Sequence, residues 1–377
     1  MRSVCHITTG LNIGGTELFL LQLVKCLDKD GYRQVVISLL SNGDLINQFE
    51  RTGIKIIPLG ISKYPWSWVR IFKLFILLKK LSPDLVQTWL YHADLLGGCV
   101  ARLCRLPVIW NIRQSNIDSS HNKRSIIILA WVAAKLSWYL PAKIVCCAEA
   151  ARHNHIRIGY DGRIMTVIPN GCDISVFRHH QVRCTPVRET LNIGERDIVI
   201  GRFGRFDKQK DYRNFIQSAI KIQKQKLQDE KVWFLLVGAG IDANNTMIKS
   251  WISGSPNPEK FIMLGNRCDL PDLYQVLDIM VSSSAGEGFP NVIAEAMACE
   301  IPCIVTDVGE SGNLVADTGK IVPKENSDAL ATACVEMISM GSNKRRQLGM
   351  SARRRVSSQY SMQKCVDSYK ELYARNY

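Results

Sequence analysis

No Cys-x-x-Cys pair occurs in this 377-residue chain, and no Cys/His spacing matches a zinc site. The 13 cysteines stand singly inside apolar runs, as at Cys5, Cys26, Cys99, Cys104 and Cys303, apart from the adjacent Cys146 and Cys147. A chain this long needs no covalent staples, so a disulfide scaffold is excluded and buried free thiols in a reducing, cytosolic compartment are expected. No Asp-x-Asp motif is placed as a metal site. Long apolar runs are lacking too. The longest without a charge, 126–134, spans nine residues, against roughly 18–20 needed to cross a bilayer. The first residues, Met1-Arg2-Ser3-Val4-Cys5-His6-Ile7, lead into a strand pattern without the apolar core of a signal peptide. Short repeats and low-complexity tracts are absent.

What is present is an ordinary globular composition, 46% apolar and 22% charged, with length for two domains of about 150–200 residues each. The net charge of +14 is unevenly placed. Residues 1–180 hold 22 Lys and Arg against 11 Asp and Glu, whereas the remainder holds 26 against 23. A basic first half implies an anionic partner: nucleic acid, a phosphate-rich ligand or an anionic lipid surface.

Short β-branched runs alternate with longer amphipathic ones. Strands are expected at 4–8, 34–39, 55–58, 85–88, 108–112, 144–147 and 165–168, with helices at 17–27, 68–81 and 95–104. After Phe177 the pattern dissolves into a polar, aperiodic stretch containing Pro186. Alternation then restarts, with strands at 198–203, 232–237, 261–264, 279–282 and 303–306 and helices at 212–224, 270–277, 292–298 and 329–339. The expected class is α/β, with two doubly wound, Rossmann-like domains at 1–180 and 197–355. A linker is expected at 181–196 and a terminal helix at 356–377 that packs back on the first domain. Ligands of open α/β sheets sit beyond the carboxyl ends of the strands, and three motifs fall there.

The first, Thr8-Thr9-Gly10-Leu11-Asn12-Ile13-Gly14-Gly15-Thr16-Glu17, joins a strand to a helix. Its glycines allow close approach of a ligand to the backbone, although a tight turn alone would explain them. The second, Gly201-Arg202-Phe203-Gly204-Arg205-Phe206-Asp207-Lys208-Gln209-Lys210-Asp211, leaves the first strand of the second domain. Arg205 and Lys210 there could hold a diphosphate and stabilise a departing anion; a basic loop on a solvated surface is the plain alternative. The third, Ser284-Ala285-Gly286-Glu287-Gly288-Phe289-Pro290-Asn291-Val292-Ile293-Ala294-Glu295-Ala296-Met297-Ala298, is a glycine loop that enters a helix. Free N–H groups at a helix start receive phosphate oxygens. Glu295 lies in an apolar run, where an unpartnered carboxylate is costly, and a ribose diol would supply the partner. Helix-dipole compensation would explain either glutamate alone, but not both together with the Gly-Phe-Pro-Asn loop.

The spacing of Glu287 and Glu295 in that motif resembles the signature of retaining glycosyltransferase family 4, with the GT-B fold. Gly14-Gly15-Thr16-Glu17, Val167-Ile168-Pro169-Asn170-Gly171-Cys172-Asp173, 201–210 and Pro302-Cys303-Ile304-Val305-Thr306-Asp307-Val308-Gly309 match further family segments in order. The resemblance implies two domains facing a central cleft. It implies that Arg205 and Lys210 bind the donor diphosphate, Glu295 the ribose and Glu287 the transferred sugar. Backbone groups of Gly288, Phe289, Pro290, Asn291 and Val292 would cradle phosphate, and Gly15 would approach the diphosphate from the first domain. Such enzymes need no divalent metal, so the resemblance implies neither a metal nor a cofactor.

One departure stands out. Where many family members place a histidine after the fifth strand, this chain reads Trp110-Asn111-Ile112-Arg113. Arginine is no base at neutral pH, so Arg113 is expected to contact a phosphate or the acceptor, and His92 becomes the candidate catalytic histidine. These segments resemble bacterial exopolysaccharide and O-antigen transferases. The expected activity is transfer, with retention, of a sugar from a nucleotide diphosphate, a UDP-sugar, to a hydroxyl of a polyprenyl-diphosphate-linked or other glycan acceptor. Residues 62–80 and the run after Lys123-Arg124 mix tryptophans, apolar residues and cations. They point to peripheral attachment at an anionic membrane surface, on its cytoplasmic face. A nucleotide-sugar epimerase, a degenerate nucleotide-sugar binder and a nucleic-acid or lipid-surface binding protein are the competing readings. Nucleic acid is set aside because Glu287 and Glu295 would oppose a phosphate-rich partner.

Overall fold

Two parallel sheets, each with its own helices, organise the chain. The computed structural model describes residues 2–61, 68–115, 117, 124–179, 185–225 and 231–376. These residues form one unit of Met1–Gly171 with Met362–Tyr377 and another of Cys172–Ser361.

In the first unit, β1 (Ser3–Thr8), β2 (Arg33–Ser38), β3 (Lys55–Pro58), β4 (Leu85–Trp89), β5 (Val108–Ile112), β6 (Lys143–Cys146) and β7 (Met165–Val167) lie in the order β3-β2-β1-β4-β5-β6-β7. Every pair is parallel. Its helices include α1 (Gly15–Lys29), α2 (Ile46–Glu50), α3 (Trp68–Leu81), α4 (Leu90–Leu103), α5 (Arg124–Leu136) and α6 (Glu149–Arg157). Because β1 pairs with both β2 and β4, the winding reverses between β1 and β4. The chain leaving these two strands therefore flanks the place where such sheets take ligands. The Gly14-Gly15 turn follows β1, and His92 lies on the first turn of α4, which follows β4 directly.

The second unit repeats the plan. Strands β8 (Ile198–Phe203), β9 (Val232–Val237), β10 (Phe261–Met263), β11 (Ile279–Ser282), β12 (Cys303–Thr306) and β13 (Lys320–Val322) run in the order β10-β9-β8-β11-β12-β13, again all parallel. Helices α7 (Thr185–Thr190), α8 (Tyr212–Gln223), α9 (Thr246–Ile252), α10 (Leu270–Tyr274), α11 (Asn291–Ala298), α12 (Ser311–Val315), α13 (Ser327–Ser339) and α14 (Gly341–Gln359) accompany them, and α15 (Met362–Ala374) follows. All six residues of β8 are buried, as a strand covered on both faces requires. Here the winding reverses between β8 and β11. The loops after those strands are the second and third motifs.

The boundary between units lies at Gly171–Cys172 and not within the expected linker 181–196. Residues 180–184 lie outside the described set, but the following segment is tied into the second unit. Arg188 Nη2 donates to Asp278 Oδ2 and to the Val276 carbonyl, each at 2.8 Å, and both side chains of this ion pair are buried. The tail also divides later than position 356. Helix α14 belongs to the second unit, and only α15, from Met362, joins the first. There Tyr369, Tyr373 and Val366 enter the core with Phe19, Leu23 and Trp89.

Further differences are local. Helix α4 begins five residues before the expected 95, because Leu90 adopts φ +71° and turns the end of β4 directly into helix. The short elements α2, α6, α7, α9, α12 and β13 carry too little periodicity to have been expected. Every described cysteine is free, and Cys268 alone among them is exposed.

Candidate active site

The loop leaving β8 is built by backbone constraints before any charge acts. Gly204 and Phe206 donate to the carbonyls of Val237 and Ala239, both at 2.8 Å, which lays the loop over the end of β9. Asp207 accepts from the Gln209 amide at 2.9 Å and caps the short 3-10 turn Lys208–Lys210. Asp211, at φ +42°, then caps α8 through the Asn214 amide at 3.1 Å. Two Asx caps in five residues thus fix the direction in which Lys210 leaves the turn. Arg205 is more open: its side chain is 58% exposed and meets Asp207 Oδ2 at 3.2 Å.

The loop leaving β11 lies beside it. Ala285 donates to the Gln209 carbonyl at 2.8 Å, so the two loops share a backbone hydrogen bond. Across that junction Lys210 Nζ stands 2.6 Å from Glu287 Oε1, and Ser284 Oγ donates to the same oxygen at 2.7 Å. Glu287 Oε2 has no hydrogen bond among the described residues, yet it is not sealed from solvent. The amides of Gly288 and Phe289 also lack an acceptor among the described residues, whereas the Gly288 carbonyl accepts from the Glu310 amide at 3.1 Å. Pro290 precedes α11 without a side-chain cap. Asn291, the first residue of α11, and Val292 are half-buried. Glu295, one turn later, is half-buried and accepts from the Tyr274 hydroxyl at 2.8 Å.

Arg202 joins these parts, although the sequence reading assigned it nothing. Its guanidinium is wholly buried at the end of β8, 4.9 Å above the Tyr212 ring. It donates to Ser283 and Ser284 hydroxyls at 3.1 Å and to the carbonyls of Phe203 and Lys210 at 2.6 Å. An arginine inside an apolar strand was the signal that could have revealed it. Tyr274 had none, because its partner Glu295 lies 21 residues further on.

The two glutamates are driven in opposite directions. Burial alone would raise the Glu287 carboxyl, but the Lys210 ammonium and the hydrogen bonds from Lys210 and Ser284 outweigh it and hold the group below its ordinary value. Among the described residues no cation pairs with Glu295. Burial pushes it up to about 7, and the Tyr274 hydrogen bond opposes this only in part. One carboxylate is thus fixed as an anion, and the other sits at the edge of neutrality.

In the first unit, Gly15 opens α1 and is exposed. His92 is exposed on the first turn of α4, and packing around its ring lowers its pKa. Arg113 is held by neighbours within the first unit. Its guanidinium lies 4.4 Å from the Phe19 ring and 4.8 Å from Trp89. It donates to Asn170 Oδ1 at 2.6 Å, to Asn111 Oδ1 at 3.0 Å and to the Tyr369 hydroxyl. Only Nε lacks a partner, and it is buried. Packed on two rings and tied to α15, this planar cation has three of its five N–H groups engaged and Nε–H buried, which leaves one Nη1 hydrogen for a further acceptor. Among the described residues, no cluster of three or more His, Cys, Asp or Glu could hold a metal ion, and no helix is long and apolar enough to cross a membrane.

Similarity to known proteins extends over both units. Residues 13–176 match the model of glycosyltransferase family 4, and residues 197–340 match that of glycosyl transferases group 1. The chain is 26% identical over 310 residues to UDP-Gal:alpha-D-GlcNAc-diphosphoundecaprenol alpha-1,3-galactosyltransferase of Escherichia coli, covering 80% of this chain and 78% of that protein. It is 24% identical to the capsular polysaccharide biosynthesis glycosyltransferase CapM of Staphylococcus aureus, covering 88% of each. The crystal structure of Anabaena HepE in complex with UDP superposes over 100% of both chains with a TM-score of 0.87 at 20% identity. With its two Rossmann-like units, each matched by one of these models, the chain belongs to the family 4 and group 1 glycosyltransferases of GT-B fold.

Proposed function

We propose that this glycosyltransferase moves a sugar, with retention of configuration, from a UDP-sugar to a hydroxyl of a polyprenyl-diphosphate-linked glycan during cell-surface polysaccharide synthesis. The observation that carries the reading is the cluster at the β8–β11 switch point. Lys210 reaches the loop whose Gly288 and Phe289 amides have no acceptor among the described residues, Arg205 stands exposed five residues before Lys210, and Glu287 and Glu295 flank the loop. A diphosphate would take the amides and the two cations, and the ribose diol would donate to Glu295. The E. coli relative, named for UDP-Gal and a diphosphoundecaprenol acceptor, supports uridine and a lipid-linked acceptor.

In the reaction, the bond between the anomeric carbon and the diphosphate oxygen breaks, and its electron pair leaves with the nucleotide. Lys210 and Arg205 stabilise that charge, doing the work a divalent cation would otherwise do. The acceptor oxygen bonds to the same face of the anomeric carbon, and its proton passes to the departing phosphate. The side chains around the cluster serve as electrostatic and hydrogen-bonding groups, not as a nucleophile. The solvent faces of α3 and α5 would hold the protein against the anionic leaflet that presents the acceptor.

Calorimetric titration with UDP and with GDP, repeated on Arg205→Ala with Lys210→Ala, tests the site. UDP should bind the wild type and lose at least tenfold in affinity in the double variant, which corresponds to about 1.4 kcal/mol. Transfer measured in EDTA should match that without it. Equal binding by wild type and double variant would remove the donor assignment.

A further inference from the structure

We propose that Glu287 makes the second unit prefer a nucleotide diphosphate that still carries its sugar over one that has lost it. The inference rests on the donor-site reading above. Glu287 is almost fully buried, with Lys210 Nζ and Ser284 Oγ both directed at Oε1. Arg202 in turn donates to Ser284, so this side of the carboxylate is fixed by a chain of three residues. The other oxygen, Oε2, is partnerless among the described residues but reachable from solvent. An ionised carboxylate oxygen can only accept. Oε2 therefore welcomes a hydroxyl and repels an anion.

The same geometry makes Lys210 a shared cation. A diphosphate arriving at the loop competes with Glu287 for that ammonium, and a buried carboxylate deprived of its counter-charge is strongly disfavoured. The two ligands differ at this point. The terminal phosphate of a free nucleotide diphosphate is substituted only through its anhydride oxygen and carries between about 1.5 and 2 negative charges near neutral pH. In the nucleotide sugar it also bears the sugar as an ester and keeps a single charge, and the sugar's hydroxyls can donate to Oε2. Glu287 thus opposes the product and assists the donor. After transfer, the hydroxyls leave with the acceptor and the nucleotide remains beside a carboxylate it cannot satisfy. Release is favoured at the step where a tight product would hold the enzyme.

Calorimetry decides it, with UDP and UDP-galactose, and GDP and GDP-mannose in parallel, titrated without acceptor into the wild type, Glu287→Gln and Glu287→Asp. The glutamine is close in shape but uncharged, so UDP should bind it about tenfold more tightly, whereas the UDP-sugar should bind no more tightly than before. The aspartate keeps the charge and should keep the weak binding of UDP, even if its shorter side chain loses Lys210. Should both ligands tighten or weaken by the same factor in Glu287→Gln, Glu287 only holds Lys210 and the proposal is wrong. Should Glu287→Gln bind UDP more weakly, the proposal is also wrong. If the wild type binds none of the four ligands, the donor-site reading fails and takes this inference with it. Thermal unfolding of each variant separates a loss of fold from these outcomes, and the aspartate supplies the comparison if the glutamine does not fold.

Discussion

Glu287 and Glu295 are eight positions apart in sequence and sit in opposite electrostatic settings, and that contrast gives the site a pH dependence. Glu295 has a folded pKa of about 7, above its ordinary 4.5, because burial disfavours its charge. The folded protein then binds this proton more tightly than the unfolded chain does. Stability from this group is therefore greatest below about pH 4.5, falls as pH rises towards 7 and stays low above it. Glu295→Gln should be more stable than the wild type at pH 8, by on the order of 2 kcal/mol, with the gain shrinking towards pH 5. Ribose binding needs the ionised form as acceptor, so UDP affinity of the wild type should rise with pH through about 7, and the variant should lose that slope. Melting curves and titrations at four pH values check both. The pair was legible in sequence because a glutamate within Val292, Ile293, Ala294, Ala296 and Met297 conflicts with its surroundings. Arg202 left only the signal of a cation in an apolar strand and Tyr274 left none, because their partners come from other strands and helices.

At the scale of elements, loops and helices are positioned by close backbone approach and by arginines. A Cβ on Gly309, at φ +57°, would fall 2.1 Å from the Glu287 carbonyl. One on Gly238, at φ +151°, would fall 1.9 Å from that of Gly204. Each glycine thus lets a neighbouring loop cross against a site loop, and backbone cannot yield as a side-chain tip can. Gly309→Ala should displace the Glu287 loop and lower transfer by at least about tenfold, more than it lowers the melting temperature in proportion; kinetics and thermal unfolding on one preparation decide. Helix α14 accounts for basic residues that sequence could only count as charge. Arg345 donates to the carbonyls of Met337 and Ile338 at the end of α13. Arg353 reaches that of Ala298 at the end of α11, and Arg355 those of Asn313 and Leu314 in α12. Cations at helix C-termini satisfy unpaired carbonyls and oppose the dipole. Arg353→Ala and Arg355→Ala should each cost about 1–2 kcal/mol in chemical denaturation. Only Arg353→Ala should also weaken UDP binding, because α11 carries Glu295.

At the scale of the whole molecule, two doubly wound units were legible because buried parallel strands read as β-branched runs between helical ones. Their boundary was not, since Gly171–Cys172 passes without a change in composition and α15 joins its unit through contacts remote in sequence. Tyr369 donates to Asn111, and Tyr373 bonds Gln87, across 258 and 286 positions. The charge excess was legible, and the structure shows where it faces. Helices α3 and α5 both lie against α4. On α3, Val69, Phe72, Lys73, Ile76, Lys79 and Lys80 share the solvent side; on α5, Arg124, Ile128, Trp131, Val132 and Lys135 do. Residues 62–67 and Lys123 lie outside the described set, so the tryptophan-rich start of the first segment adds nothing here. Neither helix contains an acidic residue. Apolar side chains half exposed between cations suit an interface that is hydrophobic below and anionic above. Each lysine near such a surface contributes about 1 kcal/mol, so changing Lys73, Lys79 and Lys80 together to glutamine should reduce binding to phosphatidylglycerol vesicles at least a hundredfold. Phe72→Ser with Trp131→Ser should reduce it too, but with less dependence on salt, since burial of apolar area is not screened. UDP affinity should stay the same in all of them, because these residues and the donor site belong to different units. Sedimentation with vesicles of defined composition measures the effect. A wild type that remains in the supernatant at low salt would rule out the membrane face, leaving the donor site untouched.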